Sequence, residues 1–169
     1  MIEADEKELI EKAVLKHFYV SDEVKGKHLS GENVRIDQLI VPRNFKEWKN
    51  KNRTYFGVEY KKEYNSIGDK TKVIVQALDY RHSKFETKFG MLPVPVFIYP
   101  CFMDTLKDKA FYERLLGRLG VGFIEPFKSQ RHGFNIKLKL NGTVIYDTLK
   151  GDGTETAKMM NFKRKYGSQ

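Results

Sequence analysis

The chain has a single cysteine, Cys101, in 169 residues, so it can close no internal disulfide and build no multi-cysteine metal cluster. Cys101 follows Phe97, Ile98 and Tyr99 in an apolar run and reads as a small buried thiol. No stretch approaches the ~18 uninterrupted apolar residues of a membrane-spanning helix. A G-x-x-x-x-G-K-[ST] loop is missing, which argues against a nucleotide-driven motor. The four histidines, His17, His28, His82 and His132, are scattered and form no short ligand pair. Internal repeats and low-complexity tracts are also missing, which leaves an ordinary globular chain. Its first residues include Glu3, Asp5 and Glu6, the wrong sign for a signal or transit peptide, and a cytoplasmic setting is expected.

What the chain does have is positive charge, and that charge is unevenly placed. Thirty-one Lys and Arg stand against 22 Asp and Glu, a formal net charge of +9. Residues 1–24 carry seven acids and three bases, so the rest of the chain holds all of the positive excess. Such a surface favours polyanions, nucleic acid first. With 40% hydrophobic and 13% aromatic residues, the chain can bury one sizeable core. The expected organisation is one domain over residues 1–150 and a basic, flexible tail over 151–169.

Hydrophobic periodicity gives the elements. Leu9, Ile10, Ala13, Val14, His17 and Phe18 recur at three- and four-residue spacing and predict a helix over residues 3–18. Strands are expected over 24–29 and 34–41, joined by Ser30-Gly31-Glu32-Asn33. In the second strand Val34, Ile36, Gln38 and Ile40 would face one way, and Arg35, Asp37, Leu39 and Val41 the other. A helical turn around Trp48 precedes a third strand over 54–62, in which Glu59 and Lys61 share a side. A second helix is expected over 70–85, with Gln76 and Tyr80 four residues apart on one face. The continuous hydrophobicity of residues 94–99 suits an interior strand covered on both sides. A third helix capped by Asp104 or Thr105 would reach Leu119, followed by a short strand over 121–124. A hairpin over 134–140 and 144–146 would turn at Asn141-Gly142. The sum is a mixed α/β sheet flanked by helices.

Asp37 lies near the middle of an otherwise apolar strand, where a charge needs a partner or a metal. On the residues alone it also reads as a strand-edge charge paired with Arg35 or another base, and Glu59 with Lys61 as a solvent-facing pair. The order of the motifs adds more. Arg35-Ile36-Asp37 ends one strand, Val58-Glu59-Tyr60-Lys61 reads acid-x-Lys in the next, and Gln76-Ala77-Leu78-Asp79-Tyr80 carries a Q-x-x-x-Y spacing on the helix that follows. This arrangement, over about residues 3–100, resembles the PD-(D/E)xK nuclease superfamily, in its RecB-like and Cas4-like branch without the iron–sulfur cysteines. Ile36 stands where the family name has proline, and 22 residues separate Asp37 from Glu59.

The resemblance implies a restriction-endonuclease-like fold, a mixed central sheet flanked by helices, here with an added C-terminal β-hairpin. It implies a divalent-metal-dependent DNA nuclease without strong sequence specificity. The cofactor would be Mg2+, with Mn2+ as a substitute, held by Asp37, Glu59 and the backbone carbonyl of Tyr60. Hard oxygen donors suit such ions. Lys61 would serve the attacking water, while Gln76 and a first-helix glutamate, Glu11, would complete the catalytic set. Tyr80, Lys62, Arg81 and Lys84 would contact DNA, aided by Lys70, Lys72 and Lys88, with affinity that falls as salt rises. A structure- or sequence-selective endonuclease, a non-catalytic nucleic-acid-binding module and a structural subunit are the competing readings. The small size fits a phage-encoded or accessory protein, acting as a monomer, a homodimer or part of a larger DNA-processing complex.

Overall fold

The computed structural model describes residues 2–44, 55–60, 67–99, 106–150 and 152–153. The turn expected at Trp48, Lys61, Lys62, Cys101, the caps Asp104 and Thr105, and the tail beyond Gly153 lie outside the described residues.

Helix α1 (Ile2–His17) leads directly into strand β1 (Phe18–His28), which turns back into β2 (Asn33–Pro42). Strand β3 (Phe56–Tyr60) precedes helix α2 (Ile67–Arg81) and the short pair β4 (Ser83–Thr87) and β5 (Gly90–Leu92). Then come β6 (Val96–Tyr99), helix α3 (Leu106–Arg118), β7 (Val121–Ser129), β8 (Gly133–Leu140), β9 (Thr143–Asp147) and β10 (Asp152–Gly153). Among the described residues the ten strands form one sheet in the order β10-β9-β8-β7-β6-β3-β2-β1-β4-β5. Its centre is parallel, β3 with β6 and β6 with β7, and the flanks are antiparallel. The mixed α/β class expected from the sequence is therefore what the chain adopts. Among the described residues no helix is long and apolar enough to cross a membrane.

Two cores sandwich the sheet. Under α1, Ile10, Val14 and Phe18 pack on Ile40, Val58, Phe97, Leu138 and Tyr146. On the other side Val73, Ala77 and Tyr80 of α2 and Leu116 of α3 pack on Leu39, Val96, Ile98 and Val121. Phe97 and its neighbours Val96 and Ile98 thus go to opposite cores, as the continuous apolar run of β6 predicts. The Asn141-Gly142 turn also forms as expected. Both residues have positive φ, 49° and 77°, and Leu140 pairs with Thr143.

Three boundaries move. Strand β1 begins at Phe18, six residues before its expected start, because Phe18 and Val20 alternate onto the α1 core opposite Pro42 and Ile40. The period-2 pattern of a strand outcompetes the last turn of the helical stripe there. Helix α2 stops at Arg81, not Phe85. Its closing carbonyls are taken locally: the His82 N–H bonds to Leu78 and Asp79, the His82 ring meets the Leu78 carbonyl at 2.8 Å, and the Ser83 hydroxyl donates to Asp79 at 2.6 Å. Phe85 then enters the α2–α3 core as a strand residue of β4, against Tyr80. At the other end, β7 runs on to Ser129, five residues past its expected end, by pairing with β8.

A fourth difference bears on function. In β1, Phe18 and Val20 face the α1 core, yet Val24 joins the α2–α3 core. In β2, Ile40 faces α1 while Ile36 faces α2 and α3, which corrects the expectation that Ile36 and Ile40 share a side. A regular strand cannot move residues of one parity from one face to the other. The break lies at Glu23, whose φ is +52°, and at Asp37, between the pairs Asp22–Gln38 and Val24–Ile36. Left-handed backbone is costly for a side chain such as glutamate.

Close packing makes two glycines informative. A Cβ on Gly122 would lie 2.5 Å from both the Lys139 carbonyl oxygen and Phe97, whereas one on Gly57 would meet chiefly the flexible tip of Ile36 at 2.7 Å. Gly122→Ala is expected to destabilise the protein by about 1–3 kcal/mol, and Gly57→Ala by less, because backbone yields less readily than a side-chain end. Urea unfolding of both variants checks the order.

Candidate active site

The site forms where β2 and β3 part. Their ladder runs through Ile40–Phe56, Leu39–Gly57 and Gln38–Val58. Beyond it side chains replace carbonyls as acceptors. The Asp37 N–H donates to Glu59 Oε2 at 3.3 Å, and the Tyr60 N–H donates to Asp37 Oδ2 at 2.8 Å. Each strand's carboxylate thus accepts a backbone N–H of the other strand. Two negative groups are held side by side, each accepting from a peptide N–H.

Glu59 is only 4% exposed. A carboxylate at that depth needs satisfied oxygens, and α2 supplies a donor. Gln76 Nε2 donates to Glu59 Oε1 at 3.1 Å and also reaches the Tyr80 hydroxyl. The Tyr80 hydroxyl in turn donates to the Arg35 carbonyl at 2.8 Å. A ring closes from Arg35 through Tyr80, Gln76 and Glu59 to Asp37, two residues along from its start. Burial and the Glu59 charge push the Tyr80 hydroxyl far above the ordinary tyrosine range, so it stays protonated and donates.

A second chain lies on the α1 side. The Tyr60 hydroxyl donates to Gln38 Oε1 at 3.0 Å, and Gln38 Nε2 donates to Asp22 Oδ1 at 2.9 Å. Burial, then the charges of Glu11, Asp37 and Asp22, push the Tyr60 hydroxyl strongly upward. Asp37 acts on Tyr60 on one face and on Tyr80 on the other. It stands at the position where the strand changes faces.

The structure therefore brings together Asp37, Glu59, Gln76 and Tyr80, and sets Glu11 within electrostatic reach through Tyr60. Lys61 and Lys62 lie outside the described residues. Two of the alternative readings fall. Arg35 pairs with Glu23 at 2.8 Å, not with Asp37, and Glu59 is buried rather than solvent-facing. Tyr80 is 4% exposed with its hydroxyl turned inward, so the expected DNA contact gives way to a positioning role: the aromatic ring is core and the hydroxyl tethers Gln76 to β2. Arg81 is half-buried against Gly120, and Lys84 is exposed on β4. Sequence reasoning missed Asp22 and Gln38. A glutamine central to an apolar strand was the available signal, and the true start of β1 would have placed Asp22 opposite it.

The donor set is hard oxygen. Among the described residues no group of three or more His, Cys, Asp or Glu side chains is arranged as a metal cluster. Asp37 and Glu59 could hold a hard cation such as Mg2+, which keeps several waters of its own. The chain matches no family model, no curated protein and no solved structure.

The Tyr80–Gln76 contact yields a stability test. Tyr80→Phe leaves the Arg35 carbonyl without its buried donor and is expected to cost roughly 1–3 kcal/mol. Paired with Gln76→Leu in a double-mutant cycle, it should show coupling of about 0.5 kcal/mol or more. Additive losses would mean that the ring does not act as a unit.

The raised hydroxyls also set a pH dependence. Their stabilisation is present in full below pH 10 and is lost as pH rises from there toward the raised folded values, since the unfolded chain ionises first. Tyr60→Phe combined with Tyr80→Phe should make that alkaline loss shallower, measured as Tm against pH.

Proposed function

We propose that the chain is a divalent-metal-dependent DNA nuclease of PD-(D/E)xK type, hydrolysing phosphodiester bonds without strong sequence preference. The observation that carries this reading is the interlocked pair of Asp37 and Glu59 on adjacent strands, with Glu59 fixed from α2 by Gln76. The order α1, β1, β2, β3, α2 with the acids at the parting of β2 and β3 supports a restriction-endonuclease-like core.

Asp37 and Glu59 would hold Mg2+ together with the Tyr60 carbonyl. The cation supplies positive charge at the scissile phosphate and its attacking water, the largest electrostatic requirement of the reaction. The protein's own residues set the geometry. Gln76 anchors one oxygen of Glu59, and the Tyr60 N–H anchors one oxygen of Asp37, so both carboxylates are oriented before any ion arrives. Lys61 follows Tyr60 in sequence and takes the water-positioning role that the acid-x-Lys motif implies. Glu11 adds negative charge from the α1 side, which favours cation capture.

Asp37→Asn and Glu59→Gln should each abolish Mg2+-dependent cleavage while leaving DNA binding in chelator largely intact. Gln76→Ala should lower activity by about 10–100-fold, the usual cost of losing a group that orients a ligand. Closed circular, linear duplex and single-stranded DNA, each with Mg2+, Mn2+ or chelator, are the substrates that check this. Nicking of the circle identifies an endonuclease and cutting from ends only an exonuclease. Undiminished cleavage by either carboxylate variant would refute the site, and binding of every substrate without cleavage would leave a binding module.

A further inference from the structure

Beyond the face change at Glu23 and Asp37, the ribbon of β1, β2 and β4 has one covered and one open side. Phe85 of β4 lies in the α2–α3 core, and Gly26, its partner on β1, sits directly against the Phe85 ring. The alternate residues Lys25, Lys27 and Lys84 therefore turn to the open side, and all three are exposed, as is Arg35. Register sets these cations against one another. Lys27 is directly opposite Lys84, and Lys25 is directly opposite Arg35.

Like charges directly opposite on neighbouring strands are destabilising. Two such pairs in successive rows are a cost that ordinary solvation of the face does not require. Arg35 is partly compensated by Glu23, and Glu86 lies next along β4. Among the described residues Lys25, Lys27 and Lys84 have no ion-pair partner. The rows are about 7 Å apart along the strands, far enough for each to meet a separate phosphate. The patch also ends at the candidate site, since Arg35 is two residues from Asp37 and its carbonyl is held by Tyr80.

We propose that this open face, built on Lys25, Lys27, Arg35 and Lys84, is the track that takes the sugar–phosphate backbone of a nucleic acid and delivers it to Asp37 and Glu59. Delivery for cleavage rests on the nuclease reading; binding does not. The contacts are with phosphates and carry no base specificity.

The test is fluorescence anisotropy of short labelled single-stranded and duplex DNA with the full chain, in chelator, across a salt series. Lys27→Ala combined with Lys84→Ala should lower the slope of log affinity against log salt by roughly 0.9 per lost duplex phosphate contact, or 0.7 for a single strand. Tm should hold or rise, because a repulsive pair is removed, whereas a structural role for these lysines would lower it. Lys128→Ala combined with Arg131→Ala removes the same charge from the exposed end of β7 and the turn after it and should leave the slope unchanged. An unchanged slope in the first double variant, equal losses in both, or no DNA binding by the parent protein would overturn the track. Cleavage by the parent protein, scored separately in Mg2+, decides the nuclease reading: a salt-slope loss without cleavage keeps the track and removes the nuclease, and the converse keeps the nuclease alone.

Discussion

The exchange of carboxylates for carbonyls at the parting of β2 and β3 is the interaction on which the site depends. Two acids on adjacent strands ordinarily repel and turn toward solvent. Here each is captured by a peptide N–H of the opposite strand, Asp37 by Tyr60 and Glu59 by Asp37. The ladder thereby ends without leaving those N–H groups unpaired, and the acids stay together in a partly desolvated place. Gln76 and Tyr80 add the third wall by linking Glu59 back to the Arg35 carbonyl. Loss of any link frees a buried polar group, which makes the cluster stiff.

The strand irregularity has the same origin. Asp37 can meet Tyr60 on the α1 side and influence Tyr80 on the α2 side only because β1 and β2 change faces there, with Glu23 in a left-handed conformation opposite. Strain of this kind persists where surrounding contacts over-determine it. The same change of faces turns Lys25, Lys27 and Arg35 outward, so the acid pair and the basic ribbon follow from one backbone feature.

Much of this was legible in the sequence, for identifiable reasons. Long periodic segments gave α1, α2 and the mixed sheet, and Asn141-Gly142 gave its hairpin turn. The pairing of Asp37 with Glu59 followed from motif order. The start of β1 was hidden because Phe18 satisfies a helical and a strand period equally well. The β4–β5 pair was hidden because helix α2 ends without glycine, on His82 and Ser83 side chains. No local pattern announces a glutamate at positive φ, so strict alternation puts Ile36 on the same side as Ile40. Tyr80 was ambiguous between packing and ligand contact, and only its burial and hydroxyl partner decide for packing.

Anomalous diffraction from crystals of the chain soaked in Mn2+ shows whether Asp37 and Glu59 hold the cation. A manganese peak is expected beside both carboxylates and is expected to be absent from crystals of Asp37→Asn. Manganese bound elsewhere, or carboxylates that stay locked to their N–H partners with no peak between them at saturating Mn2+, would contradict that assignment.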